Sequence, residues 1–208
     1  MPAVFASVTA AFLVAVVVAE RNRAGWRIWP KAAASAGFVA AAVAAGALDG
    51  GYGRWVLAAL VLGMAGDVAL ARPSWFRAGL AVFLLSHLAY LVAFAVLDLR
   101  AIAALTGAAV LALPASAVGR WLLPHVPAGL RTPVVAYVVV ITAMVAGAAG
   151  AASAGGPWPV LPAACLFYLS DVLVARDQFV DPAYVNRWVG LPMYYSAQVL
   201  FALSTGMV

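Results

Sequence analysis

The chain has 208 residues, 67% of them hydrophobic and 9% charged, with a mean hydropathy of +1.05. A soluble domain is roughly 45–50% apolar and about 25% charged, so this composition excludes a soluble enzyme, a nucleic-acid-binding module and a disordered chain. A membrane-spanning helix takes roughly 20 apolar residues, so residues 1–208 read as one all-α, polytopic membrane domain of eight spans with short loops.

The apolar runs follow in chain order. Span 1 covers Pro2–Ala19, span 2 Lys31–Leu48, span 3 Arg54–Ala71 and span 4 Ala78–Leu97. Span 5 covers Ala101–Gly119 with a kink expected at Pro114, span 6 Pro133–Ala152, span 7 Pro159–Ala175 and span 8 Trp188–Met207. In lipid the backbone must satisfy its own hydrogen bonds, which makes each run a helix. No basic segment precedes span 1, so it reads as a retained span rather than a cleaved leader. Span 2 sets Ala33, Gly37, Ala41 and Ala45 four apart, a stripe that permits close helix packing. The single Cys165 lies in an apolar run and reads as a small core residue.

The net charge of +5 comes from 12 Lys+Arg against 7 Asp+Glu, and the basic residues fall in loops. One set of loops carries Arg21, Arg23, Arg27, Lys31, Arg72, Arg77, Arg120, Arg131, Arg176 and Arg187, against only Arg54 and Arg100 on the other side. Ten against two makes the first side cytoplasmic and puts both termini outside. A faint repeat accompanies this pattern. Asp67-Val68-Ala69-Leu70-Ala71-Arg72 resembles Asp171-Val172-Leu173-Val174-Ala175-Arg176 at an offset of 104, and Tyr90 matches Tyr194 at the same offset. A duplicated four-span unit is one explanation, and chance in an Ala/Val/Leu-rich chain is the other.

Ionisable groups inside spans are costly and mark functional sites by default. Here they gather on one side. Asp67 and Asp171 each lie just before an arginine near the cytoplasmic end of a span, Lys31 opens span 2, and Tyr137 is one turn into span 6. These four share a depth of about 5–8 Å below the interface at 1.5 Å per residue. His87, Tyr90 and Gln198 lie deeper. Two carboxylates can divide acid and base duties when their surroundings separate their proton affinities, and that chemistry suits an acid-labile bond. Each group also has a structural reading. The aspartates could be interhelical hydrogen-bonding glue or ion-pair with Lys31, Lys31 could snorkel, and the tyrosines, His87 and Gln198 could serve packing. A metal site of Asp67, His87 and Asp171 is a further alternative, although catalytic zinc usually takes several histidines. No metal or cofactor is expected.

Several segments resemble the YhhN family of lysoplasmalogenase-like membrane proteins. Gly63-Met64-Ala65-Gly66-Asp67-Val68-Ala69-Leu70 resembles its Gly-Asp segment. Phe76, Gly79, Phe83 and Ser86-His87-Leu88-Ala89-Tyr90 resemble the segment that follows. Phe167-Tyr168-Leu169-Ser170-Asp171 and Tyr194-Tyr195-Ser196-Ala197-Gln198 resemble its later motifs, in the same order. The family's Lys-Pro at the start of the second span is here Pro30-Lys31-Ala32. The resemblance implies hydrolysis of the vinyl ether bond of a lysophospholipid, giving a fatty aldehyde and a glycerophospho-choline or -ethanolamine. Asp67 and Asp171 would then be catalytic, with Lys31, His87, Tyr90, Tyr137, Ser170, Tyr194 and Gln198 binding substrate or water. The expected partners are the lysophospholipid and the lipid bilayer of a bacterial plasma membrane, with no nucleic acid. Headgroup, chain length, oligomeric state and the division of acid and base between the aspartates stay open. The rival class is a small transporter or lipid-binding protein with a proton or substrate relay through Asp67 and Asp171.

Overall fold

The computed structural model describes residues 1–21, 26 and 28–208. Arg23 and Arg27, counted among the basic loop residues, lie outside them. Eight long helices and no strands occur among the described residues: α1 (Pro2–Arg21), α2 (Ile28–Ala44), α3 (Gly51–Leu70), α4 (Phe76–Val96), α5 (Ala101–Leu122), α6 (Ala128–Ser153), α7 (Val160–Phe179) and α8 (Tyr184–Ser204).

Five of them, α1, α3, α4, α5 and α6, are long and apolar enough to cross a membrane. The apolar α2 is shorter, at 17 residues. The last two helices are long enough but carry more polar side chains, and they carry much of the site described below. Four boundaries differ from the sequence reading by four residues or more: α2 stops at Ala44, α8 starts at Tyr184, and the sixth and seventh helices are extended. The sixth helix starts at Ala128 and runs through Pro133, which places Tyr137 well over two turns in rather than one. The seventh continues past Ala175 to Phe179, because Arg176 and Asp177 make contacts within the protein rather than marking its edge.

Sequential helices pair as hairpins. Longer-range contacts then close α2, α3, α4, α6, α7 and α8 into a ring, in that order. Helix α1 lies outside this ring against α2 and α8, and α5 lies outside it against α6. The small-residue stripe works where α1 meets α2. A Cβ on Gly37 would collide with the Thr9 hydroxyl and sit 3.2 Å from the Phe5 carbonyl. The Thr9 hydroxyl donates to the Ala34 carbonyl across the same contact, at 3.1 Å. Cys165 is exposed, contrary to the core position expected of it. An apolar run in a membrane helix covers the lipid-facing side as well as the core, so hydrophobicity alone could not place it.

The two ends of the ring differ. At the end opposite the arginine-rich one, Tyr90, Phe94 and Phe201 are fully buried, and Tyr90 stacks on Phe201 at 4.1 Å between ring centroids. The Tyr52 and Ser204 hydroxyls hydrogen-bond at 2.6 Å, and the Ser86 hydroxyl donates to the Ala59 carbonyl at 2.8 Å, tying α4 to α3. The arginine-rich end is hollow.

Candidate active site

Helix α3 brings Asp67 to the hollow through two glycines. A Cβ on Gly66 would lie 2.7 Å from the Phe83 ring, and one on Gly63 would lie 2.8 Å from the Gln198 side-chain nitrogen and 3.2 Å from the Tyr194 hydroxyl. Any side chain at these positions would push α4 and α8 outward. With both absent, the Tyr194 hydroxyl reaches across and donates to Asp67 Oδ2 at 2.8 Å. Ser35, on the facing side of α2, donates to the same oxygen at 2.6 Å.

Asp171 enters from α7, opposite α3 in the ring. Its Oδ2 accepts a hydrogen bond from the Tyr137 hydroxyl at 2.6 Å and lies 3.4 Å from His87 Nε2. The His87 ring is fully buried, with Nδ1 2.6 Å from the Phe83 carbonyl. A carbonyl only accepts, so Nδ1 carries the hydrogen. The ring's other nitrogen, Nε2, has no hydrogen-bond partner apart from this approach to Asp171. The His87 ring thus stands 3.4 Å from the Asp171 carboxyl without a hydrogen bond to it.

Both aspartates line one cavity of about 330 Å³, on opposite walls. Lys31, Tyr137, Ser170 and Tyr194 line it too, whereas His87, Tyr90 and Gln198 do not. Phe83 and Tyr194 floor the cavity, and their rings meet each other and that of Phe167 edge to face at 5.4–6.2 Å. Beneath that floor the Tyr90 hydroxyl donates to Gln198 Oε1 at 2.6 Å, out of reach of the cavity. The Ser170 hydroxyl is turned onto the Phe167 carbonyl at 2.7 Å.

The basic partners are not the expected ones. Lys31 pairs with Glu20 at 2.8 Å, and Glu20 also receives Arg187 at 3.4 Å. Arg187 in turn holds Asp177 at 2.9 Å. This chain of four charges, from the ends of α1 and α7 and the starts of α2 and α8, lines the same cavity. Neither arginine following an aspartate in sequence turns back to it. Arg176 binds Asn186 and Asp181 at 2.9 and 3.0 Å, and Arg72 lies over the Trp75 ring at 4.5 Å.

The sequence reading missed Glu20, Ser35, Asp177 and Arg187. Ser35 had a signal, being the lone polar residue of span 2 after Lys31 and one turn from it. The other three sit at helix ends, where polar residues are unremarkable. Among the described residues no group of three or more His, Cys, Asp and Glu is placed to hold a metal ion.

These features define a polytopic helical membrane protein with two carboxylates facing each other across an internal cavity near one end of its bundle. The chain belongs to the YhhN family, whose profile matches residues 26–205. It is 36% identical over 160 residues to the human protein named lysoplasmalogenase TMEM86B, a match covering 75% of this chain and 65% of that protein. The pig protein of the same name is 37% identical over 156 residues, covering 74% and 65%. A Mycobacterium bovis protein named lysoplasmalogenase is 34% identical over 151 residues, covering 69% of this chain and 56% of that one. The matches thus span less than two thirds of the relatives' length. No solved structure matches the chain.

Proposed function

We propose that this protein is a membrane-embedded hydrolase that cleaves the vinyl ether bond of a lysoplasmalogen. It would sit in a bacterial plasma membrane, with the arginine-rich end in the cytoplasm and both termini outside. The products would be a fatty aldehyde and a glycerophospho-choline or -ethanolamine.

The observation that carries this reading is the layout of the cavity. Four charges of zero net sum stand on the side of α1, α2 and α8, with Asp177 from α7. Aliphatic side chains of α4, α5 and α6 stand on the opposite side. Asp67 and Asp171 face each other in between. A lysophospholipid with its zwitterionic headgroup at the charges and its chain on the aliphatic side sets the bond joining the two parts between the carboxylates. The names of the relatives point the same way.

The chemistry follows from the hydrogen bonds. The acid donates a proton to the alkene carbon nearer the chain, leaving an oxocarbenium ion on the other. We assign this role to Asp171, which lines the cavity and stands 3.4 Å from His87 Nε2, within reach of a proton transfer. Water adds to the cation and loses a proton to a base. We assign that role to Asp67, whose Oδ2 is filled by two hydroxyl donors while Oδ1 stays available to water. Both carboxylates flank the cation as it forms, where fixed negative charge lowers the barrier most. The hemiacetal then loses its hydroxyl proton, its C–O bond to glycerol breaks, and the glycerol oxygen takes up a proton. One water is consumed overall.

The test is chain release by purified protein in detergent, across lysolipids that differ only in chain linkage, read as aldehyde from the vinyl ether and as fatty acid or alcohol from the controls. Release from the vinyl ether, with none from ester or alkyl-ether controls, is the expected result. Equal cleavage of the ester, or none of the vinyl ether, removes the proposal.

A further inference from the structure

The two helices outside the ring are placed differently. Helix α1 lies against both α2 and α8 and covers the seam between them. Helix α5 packs on α6 and, more lightly, on α7, and among the described residues it makes no substantial contact with α4. Four residues join α4 to α5 at the far end of the bundle. There the Arg100 amide donates to the Gly150 carbonyl at 3.3 Å and docks the start of α5 on α6. Beyond that link no substantial contact joins α4 to α5 among the described residues.

The cavity reaches both helices. Its aliphatic side is made by Phe76 and Leu80 of α4, Val118 and Leu122 of α5, and Val138 and Ile141 of α6. The end of α5 is pinned away from α4. Leu122 is buried in a small cluster with Val126 and Val134, against Ala175, Phe179 and Val180. Above, the Phe76 and Phe179 rings meet edge to face at 5.8 Å, joining the first residue of α4 to the last of α7 across the arginine-rich end. Among the described residues no ring pair or side-chain hydrogen bond crosses the seam between α4 and α5, and the outer face of α5 is apolar and exposed, with Leu105 at 71% and Leu113 at 73%.

Building on the function proposed above, we propose that the seam between α4 and α5 is a lateral window through which a single hydrocarbon chain passes from the bilayer to the cavity, with Leu80 and Val118 as its jambs. The occupant is the chain of a lysophospholipid. A lipid chain loses nothing by moving from bilayer to an apolar passage, whereas travel through water at the arginine-rich end would expose its methylenes at a cost that grows with chain length. A window beside α4 also brings the chain in on the side opposite the four charges, so the headgroup trails along the membrane surface towards them.

The test uses an alkyl-ether lysophosphoethanolamine with a diazirine in mid-chain, which offers no vinyl ether to cleave, and protein reconstituted in phosphatidylcholine vesicles. The window predicts photoadducts near Phe76–Leu80 and Val118–Leu122 that excess unlabelled alkyl-ether lysolipid competes away. Val118→Trp and Leu80→Trp each lower the competed labelling at least fivefold. Leu113→Trp, on the lipid-facing side of α5, leaves it within twofold. Competed adducts centred on α1, α2 or α8, the absence of competed adducts, or labelling unmoved by both window variants would overturn the proposal. Because the probe is read without turnover, competed labelling at the seam together with no aldehyde release would leave the window standing and remove the hydrolase reading alone.

Discussion

The two ends of this bundle contain similar residues put to opposite uses. At the far end, tyrosines are spent locally: Tyr52 on Ser204 and Tyr90 on Gln198, among aromatic rings that leave no room for a ligand. At the arginine-rich end, Tyr137 and Tyr194 each spend their hydroxyl on an aspartate at the edge of a void. The same phenol closes a core at one end and tunes a carboxylate at the other. The difference teaches that a polar residue inside a span identifies a site only when its partner is charged and a cavity lies beside it.

Four substitutions can break or sharpen that contrast. Phe201→Ala at the packed end should cost about 3–5 kcal/mol of stability, seen as a lowered thermal midpoint in detergent, with turnover per folded molecule little changed. His87→Gln, under the cavity floor, should do the reverse. Removing the nitrogen that stands 3.4 Å from Asp171 should lower kcat about 100-fold, or about 2.7 kcal/mol, with KM and midpoint held. Comparable loss in KM would return His87 to a packing role. Gly66→Ala falls between the ends. Its methyl group would meet the Phe83 ring, and such overpacking costs about 1–3 kcal/mol; both midpoint and turnover should fall, because Phe83 is floor and core at once. The smallest effect belongs to Tyr52→Phe, which removes one hydroxyl from its Ser204 partner and should cost about 1 kcal/mol without altering kinetics.

Much of this was legible in the chain. Hydropathy located all eight helices, since a membrane allows a long apolar run few other outcomes. The Gly63-Met64-Ala65-Gly66-Asp67 run marked Asp67 through its resemblance to the YhhN family's Gly-Asp segment, and the Phe83 and Gln198 contacts give the two glycines a physical sense. Other features were hidden for identifiable reasons. Glu20 and Arg187 are 167 positions apart and meet only because α1 folds against α8. Pro133 looked like a helix start but sits inside one. His87, Tyr90 and Gln198 shared a depth in sequence, yet His87 touches Asp171 while the other two face each other beneath an aromatic floor. Depth along a helix is written in the sequence; azimuth around it is set by partners the sequence does not display.

The central claim is that Asp67 and Asp171 act together on one bond. It is tested most directly by aldehyde release from a vinyl-ether lysolipid by Asp67→Asn, Asp171→Asn and the double variant, each confirmed as folded. Groups serving one reaction are strongly non-additive, so each single variant should lose at least about 100-fold and the double should be little worse than the poorer single. Turnover within twofold of the unaltered protein in both single variants would contradict the claim.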